Sequence, residues 1–206
     1  MLVEDIAALF TRGDGSFLFA RWSRPIVPLV FGVDDATLRV IKGAIEAVVM
    51  LAGHKMAETD VEQGANLMIF FCRDWAELSA VPDLDRLIEG PGPLVARLQA
   101  QGANQFRQFR FDADGAIRAC FSFVQMDAAL AGVPAADLAL SLAAQAILLW
   151  SDRAFRTMSP LVQTANGAGL RPQIAAIIRA AYDPGLPVAT GDKALSLRLL
   201  ARVGDV

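Results

Sequence analysis

The stretch DLALSLAAQAILLWSD, residues 137–152, decides the fold because it contains the most apolar run of the chain. That run, Leu138 to Trp150, is interrupted by Ser141 and Gln145. It is shorter than the roughly 18 residues that a membrane span requires. We therefore predict no membrane insertion, and a buried core helix from Ala135 to Trp150.

The segments before this helix predict a strand, a helix and a second strand. Residues 21–32, RWSRPIVPLVFG, read as an edge strand because proline is tolerated at the edge of a sheet. Apolar residues at helical spacing predict an amphipathic helix from Ala36 to Ala52, followed by Gly53, a residue typical of helix ends. Residues 65–72, ANLMIFFC, form a short apolar run typical of a buried strand. Because a helix separates the two strands, we expect them to pair in parallel.

A hairpin and further helices complete the predicted domain. The pair Asp114-Gly115 lies between two strand-like runs in residues 105–126, QFRQFRFDADGAIRACFSFVQM, and is a hairpin turn signal. Short helices joined by loops are expected over residues 75–104, and Pro82 is expected in one of these loops. A later loop is expected to contain Asn166. C-terminal helices are predicted in residues 171–185, RPQIAAIIRAAYDPG, and after Asp192.

Length and composition predict one domain. The chain has 206 residues, of which 54% are hydrophobic, enough for one substantial core. We predict a single α+β domain over residues 1–206, in which a mixed sheet packs against the first amphipathic helix and the buried core helix. Residues 1–20 are expected to form a peripheral N-terminal segment.

The charge distribution argues against nucleic-acid binding. The formal net charge is -3, and the 19 basic residues are scattered along the sequence, so no electrostatic footprint for nucleic acid or an anionic membrane is present. Four arginines come nearest to a basic cluster, and we expect them on a solvated face of the hairpin. They are Arg97, Arg107, Arg110 and Arg118.

The cellular compartment stays open at this level. Residues 1–16, MLVEDIAALFTRGDGS, lack the pattern of a signal peptide because acidic residues fall in their only apolar part. The protein is expected to be cytoplasmic if the chain is complete, and periplasmic or exported if a signal peptide was removed. Cys72 and Cys120 are too few for a disulfide scaffold or a zinc cage, and we expect buried free thiols unless neighbouring strands bring them together.

Residues suited to catalysis are sparse. The only histidine, His54, comes at the end of the first helix, where a capping or surface role is expected. Asp137 and Asp152 would lie about 20 Å apart along a continuous helix, too far to share a metal or to act as a pair. Ser141 and Ser159 have no histidine nearby in the sequence, so His54 would have to serve either of them as a base.

The order strand, helix, strand, hairpin and buried helix resembles the catalytic half of zincin-like metallopeptidases. Their signature places two histidines four residues apart on a helix, with a glutamate beside the first as general base. The metzincin branch adds a glycine and a third histidine. In this chain the five corresponding positions are occupied by Ser141, Leu142, Gln145, Leu148 and Ser151.

Two segments resemble, more specifically, a bacterial family of zincin-like domains of unknown function. Residues 144–152, AQAILLWSD, are similar to the core-helix motif of that family. Residues 177–187, IIRAAYDPGLP, are similar to a later helix that ends in Tyr-Asp-Pro. The matching residues are Gln145, Asp152, Tyr182, Asp183 and Pro184.

The departures from that family lie in the core-helix motif. Leu148 stands for the usual glycine and Ser151 for the usual asparagine, and the acidic residues before Gln145 are missing. The resemblance covers about Trp22 to Val203. It implies a zincin-like fold with a degenerate zinc-binding motif, in a family whose members are often exported.

A polar stripe runs along the otherwise apolar core helix. Asp137, Ser141 and Gln145 are spaced by four and therefore share one helix face. Buried polar side chains need partners, so the stripe either hydrogen-bonds inside the core or lines a cleft, and both alternatives stay open. The candidate residues of a vestigial cleft are Asp137, Ser141, Gln145, Ser151, Asp152 and Tyr182.

The functional hypothesis is a non-catalytic, degenerate metallopeptidase-like domain. It would bind a peptide or protein partner by strand addition between the hairpin edge and the core helix. The hypothesis assigns no catalytic residue, no metal and no cofactor. Two alternatives stay open, a hydrolase of unrecognised mechanism and a structural or oligomerisation domain such as a homodimer. The second would use apolar surface from Phe70, Phe71, Trp75, Phe121, Phe123 and Trp150.

Overall fold

The computed structural model describes residues 2–60, 62, 64–81, 84–88, 90–165 and 167–204, so Pro82 and Asn166 lie outside the described residues. The helices are α1 (Val3–Phe10), α2 (Asp35–Leu51), α3 (Leu84–Leu87), α4 (Pro91–Ala100), α5 (Ala128–Ala131), α6 (Ala135–Ala146), α7 (Pro172–Ala181) and α8 (Leu195–Val203), with a 3-10 helix at Trp75–Ala80. The strands are β1 (Phe19–Ala20), β2 (Pro28–Phe31), β3 (Leu67–Cys72), β4 (Gln105–Phe111), β5 (Ile117–Gln125), β6 (Leu161–Thr164), β7 (Gly167–Leu170) and β8 (Ala189–Thr190).

The central sheet is mixed and has the order β2-β3-β5-β4. The first three of these strands are parallel, and β4 runs antiparallel to β5 at one edge. The α+β fold class is confirmed, as are the parallel β2-α2-β3 crossover and the β4-β5 hairpin. The first helix begins at Asp35 rather than Ala36, because the Asp34 carboxylate accepts a hydrogen bond from the Thr37 N–H and caps the helix start. It ends at Leu51, one residue before the predicted Ala52.

The sheet separates two apolar clusters. The larger cluster packs α1, α2, α6, α7 and α8 against one face. The smaller cluster packs the 3-10 helix, α3 and α4 against the other face. The aromatic residues that could have formed an oligomerisation surface belong to these cores: Phe70, Trp75, Phe121, Phe123 and Trp150 are buried, and Phe71 packs against the larger cluster.

The N-terminal segment is part of the larger core, so the expectation of a peripheral segment is wrong. Ile6, Phe10 and Phe19 are each 0% exposed. The Phe10 ring stacks on Trp150 at 5.3 Å between ring centroids. In the N-terminal segment, apolar and acidic residues follow each other too closely for the sequence pattern to reveal that one face of α1 is buried.

Helix α6 ends at Ala146, four residues before the predicted end at Trp150. From Ile147 the chain turns to run beside β1, where the Leu149 N–H donates to the Ala20 carbonyl at 2.9 Å. An apolar run does not show where a helix ends when the residues that follow it are also buried.

Aromatic side chains hold the carbonyl groups at the end of α6. A helix leaves its last carbonyl oxygens without partners inside the helix, and these groups must be satisfied from elsewhere. Two such carbonyls, and that of Ile147 directly after the helix, accept hydrogen bonds from side chains on three different segments. The bonds run from Trp150 Nε1 to Ala144 O (2.8 Å), from Trp22 Nε1 to Ala146 O (2.9 Å) and from the Tyr182 hydroxyl to Ile147 O (2.9 Å).

The two cysteines are free and buried, as expected. Although β3 and β5 are neighbours, the register pairs Cys120 with Leu67 and Cys72 with Gln125. Because side chains alternate along a strand, Cys72, five positions beyond Leu67, points to the opposite face of the sheet. The thiols therefore belong to different cores and do not pair.

Alkaline pH should destabilise the protein through Cys120. Burial raises the pKa of this thiol from an ordinary 9.0 to about 12. The unfolded chain loses the proton first, so the free energy of unfolding should be undiminished below pH 9 and should fall as pH rises from about 9 towards 12. Urea unfolding at a series of pH values measures this fall. Cys120→Ala should show a shallower fall, and an equally steep one would show that other groups cause it.

Candidate functional site

A groove lies beside α6, on the side where the sequence predicted a cleft. It has a volume of about 460 Å³ and runs between α6, the start of β4 and the β6-β7 hairpin. We call it the α6 groove. Its polar lining residues are Gln105, Asp137, Ser141, Ser159, Gln163 and Arg171, and its apolar ones are Leu130, Val133, Leu138, Leu161 and Val162.

Strand β4 presents an open edge next to this groove. The Gln125 N–H donates to the Asn104 carbonyl, and opposed residues of an antiparallel pair alternate between hydrogen-bonded and non-hydrogen-bonded positions. In the observed register, Gln105, Arg107 and Phe109 therefore direct their backbone N–H and C=O groups away from β5. Within the described ranges these groups have no backbone hydrogen-bond partner.

A second groove lies on the other face of the same edge. It has a volume of about 660 Å³, and we call it the α4 groove. Phe106 and Gln108 of β4 form one wall, while Leu94 and Arg97 of α4 contribute to the other. The open edge thus has a groove on each face.

The polar stripe of α6 lies partly in the α6 groove and partly behind it. Asp137 and Ser141 line the groove, and the Asp137 carboxylate accepts a hydrogen bond from Gln163 Nε2 at 3.3 Å. Gln145 lies one turn further along, where its Nε2 donates to Ser141 Oγ at 3.0 Å and its Oε1 accepts from Arg107. The stripe therefore combines the two expected alternatives, an internal hydrogen-bond chain and a groove lining.

Arg107 departs from the expected solvated arginine face. Its guanidinium points under the sheet to Gln145, and its buried Nη1 atom has no hydrogen-bond partner in the part of the chain that the structure describes. Burial lowers the pKa of Arg107 below its ordinary value. The register explains the error, because Arg107 shares the α6 face of β4 with Phe109 rather than the face of Arg110.

The other three arginines do not form one cluster with Arg107. Arg110 donates to the Arg86 and Leu87 carbonyls, and Arg97 lies over the Phe106 ring. Arg118 forms an ion pair with Glu62 at 3.0 Å. These side chains contact separate parts of the surface.

Removing the Gln145 amide should destabilise the fold through Arg107. Gln145→Leu leaves the guanidinium without its acceptor, and an unsatisfied buried donor costs about 1–3 kcal/mol. The free energy of unfolding in urea should fall by that amount.

A double variant tests this explanation. Replacing both partners by apolar groups can be nearly neutral, so Arg107→Met combined with Gln145→Leu should recover most of the loss. If the double variant is at least as unstable as Gln145→Leu, lost packing rather than the orphaned guanidinium is the cause.

Ser151 and Asp152 lie outside the groove and anchor the N-terminal segment instead. Ser151 is buried, with its hydroxyl donating to the Ala8 carbonyl and accepting the Ala154 N–H. The Asp152 carboxylate accepts the Gly13 N–H at 2.8 Å. Because α6 ends at Ala146, neither residue continues the polar stripe.

Tyr182 also lies away from the groove. Its hydroxyl accepts the backbone N–H of Trp22 and donates to the Ile147 carbonyl after the end of α6. Burial raises the pKa of Tyr182. His54 packs against the Tyr182 ring at 5.1 Å between centroids, and its Nε2 lies 2.8 Å from the Arg24 carbonyl. Burial lowers the His54 pKa. The histidine ring thus contacts a neighbouring loop, while the backbone N–H of His54 donates to the Val49 carbonyl in the last turn of α2 at 3.0 Å, as a capping role predicts.

The structure brings together three of the six candidate residues, Asp137, Ser141 and Gln145, and separates the others. The sequence interpretation missed Gln105, Arg107 and Arg171. The alternation of β4 could have revealed the first two, since Gln105, Arg107 and Phe109 fall on one face. Arg171 comes from a distant loop, and no local pattern identifies it.

Among the described residues, no group of three or more His, Cys, Asp or Glu side chains is placed to hold a metal ion. None of the helices described there has the length and apolar character needed to span a bilayer. Comparisons of the chain with protein families, with curated proteins and with solved structures found no match.

Proposed function

We propose that this domain is a zincin-like fold without a metal site that binds an extended peptide along the open edge of β4. The observation that carries the proposal is the free edge of β4 with a groove on each of its faces. A peptide strand added to this edge would pair with the backbone groups of Gln105, Arg107 and Phe109. Peptide recognition by strand addition uses main-chain hydrogen bonds for affinity and side-chain pockets for specificity.

Each groove would receive every second side chain of the bound peptide. Successive side chains of a strand point to opposite faces, so one set would enter the α6 groove and the other the α4 groove. The α6 groove offers Asp137 and Ser141, which suit polar or basic side chains. The α4 groove offers Leu94 and Phe106 beside Arg97, which suit apolar or acidic ones.

Binding without catalysis is supported by the residues that face the α6 groove. Ser141 and Ser159 are its hydroxyl groups, and activation of a serine nucleophile needs an adjacent base. The only histidine of the chain is held by Arg24 and Tyr182 and is not among the groove residues. The proposal therefore assigns no catalytic residue to the groove.

The first experiment selects peptides from a random heptapeptide display library on the immobilised protein. We expect enriched sequences with alternating character, polar or basic at one set of positions and apolar or acidic at the other. A selected peptide is then resynthesised with N-methyl groups on alternate amides. One N-methylated series should lose binding at least tenfold and the other should keep it, because only alternate amides face β4. Equal losses in both series would refute strand addition.

Variants of the protein test the same geometry. Gln105→Pro removes an outward N–H at the first position of β4, where proline is tolerated, and Ser141→Trp fills the α6 groove. Both should weaken the peptide at least tenfold. Gln105→Pro should leave the melting temperature nearly unchanged, whereas Ser141→Trp also removes the acceptor of Gln145 Nε2 and should lower it. Ala47→Trp, on an exposed position of α2, is the matched control and should bind normally. Unchanged binding by Gln105→Pro and Ser141→Trp would place the peptide elsewhere.

A further inference from the structure

A separate cavity lies beneath α1. It has a volume of about 730 Å³, within the range of about 300–1,000 Å³ that is usual for small-molecule sites. Its walls come from α1, the turn at 153–158, the start of α7 and Lys193, and we call it the α1 cavity. Arg171 lines both this cavity and the α6 groove, but none of the other α6 groove residues takes part.

The walls of the α1 cavity combine apolar surface with positive charge. Ala7, Ala8 and Leu9 form one apolar wall, and further apolar surface comes from Phe155, Met158 and Ile174. Three cations, Arg153, Arg171 and Lys193, also line the cavity.

The cations exceed the carboxylates in the cavity. Glu4 and Asp5 are the acidic lining residues, and the Asp5 carboxylate already accepts the Leu2 N–H at 2.8 Å. No ion pair involves Arg153, Arg171 or Lys193 within the described residues. The cavity therefore carries positive charge that its own carboxylates do not neutralise.

Phe155 occupies a rare backbone conformation at the wall of the cavity. Its φ of 66° is the only positive value among the described non-glycine residues. A bulky residue rarely adopts this conformation, which requires support from its surroundings. The Phe155 ring has that support on one side, where it packs edge-on against Trp150 at 5.1 Å between centroids. In this conformation Phe155 packs against the larger apolar cluster and also lines the cavity.

We propose that the α1 cavity binds a small organic anion with an apolar body, of the class of medium-chain carboxylates. The anionic group would lie among Arg153, Arg171 and Lys193, and the apolar body would lie against Leu9, Phe155 and Met158. This site is distinct from the peptide site at β4, with which it shares Arg171 alone among the lining residues. Charge complementarity and cavity size together select this ligand class over neutral amphiphiles.

The experiment titrates the folded protein with decanoate and follows binding by calorimetry, with decanol as the neutral counterpart of the same chain length. We expect saturable binding of one decanoate per chain and at least tenfold weaker binding of decanol. Equal affinities for the two would refute recognition of the anion. The absence of saturable decanoate binding would refute the site.

Matched variants place the ligand. Ala8→Trp narrows the cavity and should abolish decanoate binding, whereas Ala47→Trp on α2 should leave it unchanged. Lys193→Gln and Arg153→Gln should each weaken decanoate about twofold to fivefold, the range of an exposed charge pair. Lys42→Gln, an exposed lysine of α2, should have no effect. Decanoate binding that survives Ala8→Trp would overturn the assignment to this cavity. Equal weakening of decanoate binding by Lys193→Gln, Arg153→Gln and Lys42→Gln would overturn it as well.

Discussion

Trp22→Ala should destabilise the protein by about 3–5 kcal/mol, the usual loss for truncating a large buried aromatic side chain. Trp22 is 0% exposed and packs in the larger core. Its indole N–H also donates to the Ala146 carbonyl at the end of α6, so truncation leaves that carbonyl without this partner. Urea unfolding followed by circular dichroism measures the loss.

Two comparisons separate packing from capping at Trp22. Trp22→Phe keeps an aromatic ring but removes the donor, so it should cost clearly less than the alanine variant. Leu197→Ala, at an exposed position of α8, should change the free energy of unfolding by less than about 0.5 kcal/mol. A loss at Trp22→Ala no larger than that at Leu197→Ala would mean that Trp22 is not part of the core.

Asn66→Ala should be nearly as damaging, with an expected loss of about 2–4 kcal/mol, because each buried group left without a partner costs about 1–3 kcal/mol. Asn66 is 0% exposed, and its side chain connects the start of β3 to residues 25–27 and to Asp60. Its Oδ1 accepts the Val27 N–H at 2.8 Å, while its Nδ2 donates to the Pro25 carbonyl and to the Asp60 carboxylate. Thermal and urea unfolding both measure the effect.

Asn104→Ala is the matched control for Asn66. The Asn104 amide makes one hydrogen bond, to Asp127 at 3.0 Å, in a partly buried position before β4. Its replacement should cost about 1 kcal/mol or less. If Asn66→Ala and Asn104→Ala destabilise the protein equally, the buried amide network around Asn66 contributes little.

The sequence predicted the elements with strong local patterns. Helix α2 shows a regular apolar spacing and an Asp cap, and the Asp-Gly turn marks the β4-β5 hairpin. The parallel pairing of β2 and β3 followed from the helix between them. These features depend on neighbouring residues, which a single sequence displays directly.

Features set by distant contacts could not be read in the same way. The end of α6 depends on Trp22 and Tyr182, which lie far from it in the sequence. The part of the polar stripe that lies in a groove depends on the β6-β7 hairpin, and its internal part depends on Arg107. The residues that resemble the Tyr-Asp-Pro motif contribute contacts of this kind, since Tyr182 holds α6 and Asp183 forms an ion pair with Arg202 at 3.0 Å.

The placement of one thiol in each apolar cluster provides two natural reporters of unfolding. Cys120 lies in the larger core and Cys72 in the smaller one. Brief exposure to an alkylating reagent at increasing urea, followed by peptide mass spectrometry, would record the labelling of each side of the sheet separately without any introduced probe. Coincident labelling curves would indicate that both sides unfold as a single cooperative unit, whereas earlier labelling of Cys72 would indicate that the side bearing α4 opens first.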